Sequence, residues 1–226
     1  MSNKINVLLS YPRSGNTWVR YFVEYVSKKP TAMMCIGKLS IPGLKKTQAI
    51  GDKLDIGVNP EDPAILLKRH HHDLEGENWN KDNSRFIFLI RNPKECVIRN
   101  TPKKTVQAVT ERAKHFSRCI NFYDQFDGDK ILVYYEDLLV KPKENLIKIA
   151  SFLGIRQNEF FVEFFENYDK HKANSIRTYE GKSQTGGSLN FTYHSRRTNK
   201  KLLDAVDRTV KEDCGPLYYK YLKRYE

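Results

Sequence analysis

Short apolar runs alternate along this chain with segments whose apolar residues recur at helical spacing. The apolar runs that have the length of buried strands lie at residues 5–9, 64–67, 86–90 and 131–135. The segments with helical periodicity lie at residues 17–27, 95–100, 106–126, 144–153 and 199–213. Because strands that alternate with helices build parallel sheets, this pattern predicts the α/β class, with a central parallel β-sheet flanked by α-helices.

The length of the chain predicts one domain over residues 1–226. A chain of 226 residues suffices for one sizeable core and is short for two, since typical domains have about 100 to 200 residues. The composition, 39% hydrophobic and 29% charged, excludes the low hydrophobicity of disordered proteins. Residues 29–63 contain many prolines and glycines without periodicity, which predicts irregular structure there.

The charge and the cysteine content of the chain limit which binding partners and which cellular environment we expect. The formal net charge of +12 favours anionic partners, because a positive field concentrates anions near the surface. No run approaches the roughly 20 apolar residues of a membrane span, and residues 1–5 lack the apolar region of a signal peptide. We therefore expect a soluble, cytoplasmic protein without a membrane partner. The cysteines are widely scattered, which predicts free thiols at Cys35, Cys96, Cys119 and Cys214.

Residues 10–17, with the sequence SYPRSGNT, lie between the first predicted strand and its helix. At such a junction the free backbone N–H groups and the helix dipole form a binding site for an anion. The segment keeps Gly15 and Thr17 of the phosphate-binding pattern G-x-x-x-x-G-K-[ST]. It departs from the pattern at Ser10, which replaces the first glycine, and at Asn16, which replaces the lysine. Since that lysine reaches the β- and γ-phosphates in nucleoside triphosphatases, a shorter phosphate chain is predicted. A turn with a helix cap is the simpler alternative.

The same loop resembles that of a known enzyme family. Residues 11–18, YPRSGNTW, match without a gap the 5′-phosphosulfate loop Y-P-[KR]-S-G-[TN]-T-W of the sulfotransferases that use 3′-phosphoadenosine 5′-phosphosulfate (PAPS). The resemblance implies a P-loop-like fold, PAPS as co-substrate and transfer of its sulfuryl group to a hydroxyl or amine acceptor. It also implies nucleotide contacts from Arg13, Ser14, Gly15, Asn16 and Thr17, and stacking of Trp18 on the adenine. The alternative for Trp18 is packing between the helix and the sheet.

A second segment resembles the part of the family that binds the 3′-phosphate of the nucleotide. Residues 86–95 read FIFLIRNPKE, and the family has a strand followed by R-N-P-K-[DE]. The resemblance implies that Arg91 binds the 3′-phosphate, where guanidinium geometry favours paired N–H contacts to phosphate oxygens. The family usually has a serine eight residues after this arginine, and Arg99 stands there instead. We expect Arg99 to bind the same phosphate; a side chain that points to solvent is the alternative.

Two further segments resemble the family less closely. Tyr135 begins a Y-E-D-L segment after the fourth predicted strand, which implies a contact between Tyr135 and the adenine; core packing is the alternative. Residues 181–192 keep the paired glycines of the family's glycine-rich loop, but they lack its tryptophan, and the Arg-Lys-Gly triplet is out of register. Lys182 is the first candidate for a phosphate ligand in this region, and Arg177 is the second.

The strand predicted at residues 64–67 runs into a lysine and three histidines, in the sequence AILLKRHHH. One interpretation is a metal site. Successive residues of a strand point to opposite faces, so His70 and His72 can bind one metal ion together and His71 cannot join them. Since no further cluster of histidine or cysteine completes tetrahedral coordination, we predict that no metal is bound or required.

The resemblance to sulfotransferases gives residues of this strand catalytic roles. The family has K-x-H at the end of the strand, and Lys68, Arg69 and His70 match it. This implies that His70 is the general base, because the ordinary histidine pKa of about 6.5 lets a neutral imidazole accept a proton near neutral pH. Lys68 lies on the same side of the strand, which suits it to stabilise the bridging oxygen. Arg13 stands where many relatives have lysine. An arginine pKa above about 12 excludes proton donation, so its role is electrostatic stabilisation of the leaving phosphate.

Other functions fit parts of the pattern. A P-loop nucleotide kinase has the same α/β scaffold, but the missing lysine and the RNPKE segment disfavour it. A nucleic-acid-binding protein would explain the positive charge and the tyrosines interleaved with basic residues at 218–224, which are also typical of an amphipathic end of a chain. The sequence thus favours a small-molecule or glycan acceptor, polar or anionic rather than steroid-like, over a nucleic-acid partner. It carries no signature of the acceptor's identity or of the oligomeric state.

Overall fold

A parallel β-sheet forms the centre of the computed structural model, which describes residues 4–33, 56–59, 62–70, 78–177 and 198–226. Its strands are β1 (Ile5–Ser10), β2 (Thr31–Met33), β3 (Leu66–Arg69), β4 (Ser84–Ile90) and β5 (Lys130–Tyr134). Across these ranges the sheet has the order β2-β3-β1-β4-β5, and each neighbouring pair is parallel. Val7 pairs with Leu67 on one side and Phe86 on the other, so β1 lies in the middle of the sheet.

Helices connect β1 to β2 and β4 to β5, and further helices follow β5. Those before β5 are α1 (Asn16–Ser27), α2 (Pro93–Asn100) and α3 (Val106–Gln125). Those after β5 are α4 (Tyr135–Val140), α5 (Pro142–Phe152), α6 (Glu159–Glu166), α7 (Tyr168–Arg177), α8 (Lys200–Cys214) and α9 (Pro216–Tyr221), with a 3₁₀ turn at Lys223–Tyr225. Asn92 and Thr105 cap α2 and α3, because each side chain accepts a hydrogen bond from a backbone N–H of the first turn.

Alternation of side chains along β1 and β4 builds a core on each face of the sheet. Val7 and Phe86 point to the face covered by α2, α3 and α8. Leu8 and Ile87 point to the face covered by α1, α5 and α6. All four side chains are fully buried. Helices therefore cover both faces of a parallel sheet, which confirms the predicted α/β class.

The edge strand β2 lies within residues 29–63, where the sequence predicts irregular structure, and at β2 this prediction is wrong. The backbone N–H of Thr31 donates to Oε1 of Glu24 at 3.0 Å, and Nε of Arg20 donates to the Thr31 hydroxyl at 2.7 Å. All three residues are buried, and Glu24 and Arg20 belong to α1. Backbone pairing with β3 and polar contacts with α1 hold this three-residue strand, and neither is visible in the hydrophobic periodicity.

Two strand boundaries near the sheet's carboxyl edge differ from the sequence pattern. β3 ends at Arg69 rather than at residue 67, so Lys68 lies inside the strand, where it is 6% exposed. β5 ends at Tyr134, and Tyr135 begins α4. The pattern follows apolar residues, and a buried cation at the end of a strand does not belong to an apolar run. The buried charge of Lys68 at the end of β3 is itself a sign of a functional site.

Two further predictions concern free cysteine thiols and the absence of a membrane-spanning segment. Cys96, Cys119 and Cys214 are buried free thiols, as predicted, whereas Cys35 lies outside the described residues. Within the described ranges, no helix has the length and apolar character needed to cross a membrane.

Candidate active site

The predicted site residues follow the carboxyl ends of neighbouring strands. The loop 11–15 follows the central strand β1, and His70 follows β3 on one side of it. Arg91 follows β4 on the other side, and Tyr135 follows β5. Because the carboxyl ends of parallel strands meet at one edge of a sheet, all four segments lie at that edge, where ligands bind in open α/β sheets.

The backbone of the loop 11–15 is shaped for an anion. Arg13 and Gly15 have φ of 70° and 92°, in the left-handed region, and the carbonyl of Gly15 accepts the N–H of Trp18 at 3.0 Å as α1 begins. A Cβ added at Gly15 would overlap the ring of Tyr135. The hydroxyl of Ser14 is fully buried and has no hydrogen-bond partner among the described atoms. A buried, unsatisfied hydroxyl at a helix N-terminus fits a bound anionic oxygen.

Arg91 is held rigidly beside this loop. It is 2% exposed, and its Nη1 donates to the carbonyl oxygen of Arg13 at 3.1 Å. Its Nη2 lies 3.8 Å from Oε2 of Glu95, and its guanidinium lies 4.3 Å from the centroid of the Tyr135 ring. Its Nε is buried, and none of the described groups accepts a hydrogen bond from it. The side chain therefore has a fixed position and donor capacity left for a ligand.

Arg99 joins Arg13 and Arg91 to form a group of three cations. Its pKa is lowered, chiefly by burial and then by the charge of Arg91, with Arg13 adding to the effect. Tyr135 and Glu95 oppose this change in part. The Nε of Arg99 is also buried without a hydrogen-bond acceptor in the described part of the chain. Three arginines close enough to influence one another, with Glu95 as a nearby carboxylate, favour an anion with more than one negative charge.

His70 is oriented by the strand that leads to the loop. Its Nδ1 lies 2.6 Å from the backbone carbonyl oxygen of Ser10. A carbonyl oxygen only accepts, so Nδ1 carries the hydrogen and Nε2 is the basic nitrogen of the neutral imidazole. The Ser10 hydroxyl in turn accepts a hydrogen bond from Nδ2 of Asn16 at 3.1 Å. Lys68 lies in β3, two residues before His70, which directly follows the end of the strand.

A family model described as "Sulfotransferase domain" matches residues 5–201. This chain belongs to the sulfotransferase domain family. Sulfotransferase 1B1 of the mouse is 23% identical in an alignment of 176 positions, which covers 65% of this chain and 57% of that protein. Sulfotransferase 1C2 of the rabbit is 20% identical in an alignment of 190 positions, which covers 70% of this chain and 61% of that protein. The chain thus spans about three fifths of the length of these relatives.

Solved sulfotransferases share the fold. Mouse sulfotransferase SULT7A1, solved as a complex with PAP, superposes with a TM-score of 0.56 at 17% identity, covering 98% of this chain and 90% of that one. The sulfotransferase domain from the curacin biosynthetic pathway superposes with a TM-score of 0.52 at 17% identity, covering 99% of this chain and 98% of that one. At these identities the likeness establishes the fold.

The structure places Trp18 of this sulfotransferase domain largely in the core. Trp18 is 8% exposed, and its ring centroid lies 6.0 Å from that of Tyr21, 5.5 Å from Phe164 and 5.6 Å from Tyr168. The three aromatic neighbours belong to α1, α6 and α7, so packing among helices accounts for much of its surface. A contact between the rest of the ring and adenine stays a prediction.

Tyr168 is a candidate site residue that the sequence pattern does not mark. Its hydroxyl is buried and has no hydrogen-bond partner among the described residues, and its ring lies edge-on to Trp18. Burial raises the pKa of Tyr168 to about 12, with smaller contributions from Asp169 and Tyr135. Its hydroxyl therefore stays protonated and is a donor beside the two aromatic residues predicted to meet the adenine. It is the first residue of α7, a helix that hydrophobic periodicity does not predict, so no sequence signal singles it out.

The side chains of most of the remaining predicted site residues are not described, and Thr17 is the exception. Thr17 is the second residue of α1 and is half-buried. Lys182 and the glycine-rich loop lie outside the described residues, and Arg177 is described only as the last residue of α7. His71 and His72 also lie outside them, so the prediction about metal stays a prediction.

Proposed function

We propose that this sulfotransferase domain transfers the sulfuryl group of PAPS to a hydroxyl or amine. The observation that carries the proposal is the set of buried donors without partners in the described structure: the Ser14 hydroxyl and the Nε atoms of Arg91 and Arg99. They surround the left-handed turn at the start of α1. An anion that bears several phosphate-like oxygens would satisfy them together.

The nucleotide would lie across the carboxyl edge of the sheet. Arg13 and the backbone of residues 14–17 would hold the 5′-phosphosulfate, and Arg91 with Arg99 would hold the 3′-phosphate. Asn16 stands where nucleoside triphosphatases have lysine, and its amide is engaged with the Ser10 hydroxyl. This arrangement lacks the cation that would meet a γ-phosphate, which favours PAPS over a nucleoside triphosphate.

The transfer would proceed by in-line attack on sulfur. The acceptor oxygen or nitrogen forms a bond to sulfur and gives its proton to Nε2 of His70, whose tautomer is set by Ser10. The bond between sulfur and the bridging oxygen breaks, and adenosine 3′,5′-bisphosphate leaves. Lys68 would stabilise the bridging oxygen and Arg13 the leaving phosphate, which is a weak base and needs no metal in this scheme.

Calorimetry with two nucleotides tests the 3′-phosphate site. We expect the protein to bind adenosine 3′,5′-bisphosphate about 10- to 150-fold more tightly than adenosine 5′-phosphate, because a hydrogen bond to a charged group contributes about 1.5 to 3 kcal/mol. Arg91→Ala should remove most of this difference. Equal affinity of the unaltered protein for both nucleotides would contradict the role of Arg91.

Arg99→Ser, which introduces the residue usual in the family, separates the two arginines. We expect it to weaken bisphosphate binding by about tenfold and monophosphate binding little, since it removes one charged contact to the 3′-phosphate. Arg208→Ser, at an exposed position of α8, is the matched control and should change neither affinity. Identical results for Arg99→Ser and Arg208→Ser would leave Arg99 without a phosphate-binding role.

Tryptophan fluorescence tests the predicted contact of Trp18 with adenine. The chain has two tryptophans, and Trp79 packs on Phe86 at 5.7 Å, so Trp79→Phe leaves Trp18 as the sole tryptophan. We expect the bisphosphate to change the emission of this variant, because stacking alters the environment of the indole. The Trp18→Phe variant, which keeps Trp79, is the control and should not respond. An unchanged emission in Trp79→Phe at saturating bisphosphate would assign Trp18 to the core alone.

The proposed acceptor is a small molecule or a glycan of polar or anionic character. The net charge of +12 attracts such a molecule and disfavours a steroid-like one. Screening acceptor pools with labelled PAPS would identify it.

A further inference from the structure

Residues 216–226, which include α9 and the 3₁₀ turn, form hydrogen bonds with the junction between β5 and α4. The hydroxyl of Tyr225 donates to Oε2 of Glu136 at 2.6 Å. Arg224 donates paired hydrogen bonds to the two carboxylate oxygens of Asp137, at 3.0 and 2.6 Å. The hydroxyl of Tyr134 donates to the carbonyl oxygen of Tyr221 at 3.0 Å. This segment lies beyond the residues that the family model matches, which end at 201.

Glu136 connects this segment to the predicted 3′-phosphate site. Its Oε2 accepts a hydrogen bond from the hydroxyl of Tyr225, and its Oε1 accepts one from the backbone N–H of Asn92 at 3.0 Å. Asn92 directly follows Arg91, so this bond fixes the plane of the peptide group between them. The side chain of Asn92 caps α2 by accepting the N–H of Lys94 at 2.9 Å. The carboxylate is 8% exposed, so each of its hydrogen bonds matters more than it would in water.

Tyr135, which precedes Glu136 in the chain, contacts Arg91 directly. The ring of Tyr135 lies 4.3 Å from the Arg91 guanidinium and against Gly15 of the phosphate loop. Burial and the carboxylate of Glu136 raise the pKa of Tyr225, so its hydroxyl remains a donor at neutral pH. Loss of that donor leaves one oxygen of a buried carboxylate short of a partner and allows Glu136 to turn away from Asn92.

We propose that Tyr225 and Glu136 are positioning residues that hold Arg91 in place for the 3′-phosphate without touching the nucleotide. The inference rests on the proposed role of Arg91. It predicts that residues far along the chain set the discrimination between nucleotides with and without a 3′-phosphate.

A matched pair of tyrosine variants tests the inference. Tyr225→Phe removes the hydroxyl from Glu136, and Tyr221→Phe removes a hydroxyl that donates to Oδ1 of Asp124 on α3, also at 2.6 Å. We expect Tyr225→Phe to weaken binding of adenosine 3′,5′-bisphosphate about 5- to 20-fold, because the lost hydrogen bond to a charged group is partly transmitted to Arg91. Binding of adenosine 5′-phosphate should change less than about twofold, and Tyr221→Phe should change neither affinity by more than that.

Glu136→Gln and the double variant with Tyr225→Phe complete the test. Since both residues act through one contact, the double variant should be no weaker than Glu136→Gln alone. Equal losses for both nucleotides, equal effects of the two tyrosine variants, or an unchanged Tyr225→Phe would overturn the inference while the unaltered protein still discriminates. If the unaltered protein does not discriminate, the proposed role of Arg91 fails, and the inference fails with it.

Discussion

His70→Ala is expected to lower kcat about 10²- to 10⁴-fold, the usual range for a lost general base. The affinity for adenosine 3′,5′-bisphosphate should stay nearly unchanged, because His70 contacts the acceptor rather than the nucleotide in the proposed scheme. The loss of kcat is expected because Nδ1 donates its hydrogen to the Ser10 carbonyl, which leaves Nε2 as the basic nitrogen. Transfer from labelled PAPS to acceptor pools measures kcat, and calorimetry measures the affinity.

The neighbouring histidines serve as controls for this variant. His71→Ala and His72→Ala should remain within about tenfold of the unaltered rate, because only His70 stands at the histidine position of the K-x-H pattern. Inactivity of either control with an active His70→Ala would show that the wrong histidine is assigned. If all three histidine variants lost activity and added metal restored it, the prediction that no metal is bound would be wrong.

Gly15→Ala is expected to lower the free energy of unfolding by about 2 to 5 kcal/mol and to abolish tight nucleotide binding. A φ of 92° strains an alanine by about 1 to 2 kcal/mol. The added Cβ also overlaps the buried Tyr135 ring, and displacement of that ring disturbs the adjacent Arg91. Denaturant unfolding measures the stability, and calorimetry with the bisphosphate measures the binding.

Gly154→Ala is the matched control. Gly154 has φ of 71°, also left-handed, and a Cβ added there meets no described atom within 4 Å. This variant should lose about 1 to 2 kcal/mol of stability and keep its nucleotide affinity. Equal losses of stability in the two variants, with binding intact in both, would contradict the close packing of Tyr135 on the phosphate loop.

Local sequence patterns predicted most of the fold. The apolar runs at β1 and β4 and the periodic segments at α1, α3 and α8 agree with the structure within a few residues. They succeed because side-chain alternation and helical spacing are properties of neighbouring residues. α6 has the sequence EFFVEFFE, with phenylalanines at four positions, and two of them, Phe161 and Phe164, are buried. The phenylalanines recur at helical spacing, but the helix has only eight residues, which is shorter than the window of about 11 to 18 residues in which a helical period is recognised.

The residues of the candidate site also include some that the sequence predicted and one that it did not. The loop at residues 11–18, the RNPKE segment and K-x-H are contiguous, so the sequence alone predicted Ser14, Arg91 and His70 as site residues. It did not predict Tyr168, because nothing near it in the chain shows that its hydroxyl is buried without a partner among the described residues.

The sequence by itself determined the α/β class, the family resemblance and the residue types available for chemistry, because each is written in neighbouring positions. The tertiary structure alone decided the strand order, which places β1 between β3 and β4 and brings His70 and Arg91 to the two sides of the phosphate loop. It also decided the link from Tyr225 through Glu136 to Asn92, whose members are 44 and 89 residues apart. Such contacts depend on which surfaces pack together, and packing is a property of the folded chain as a whole.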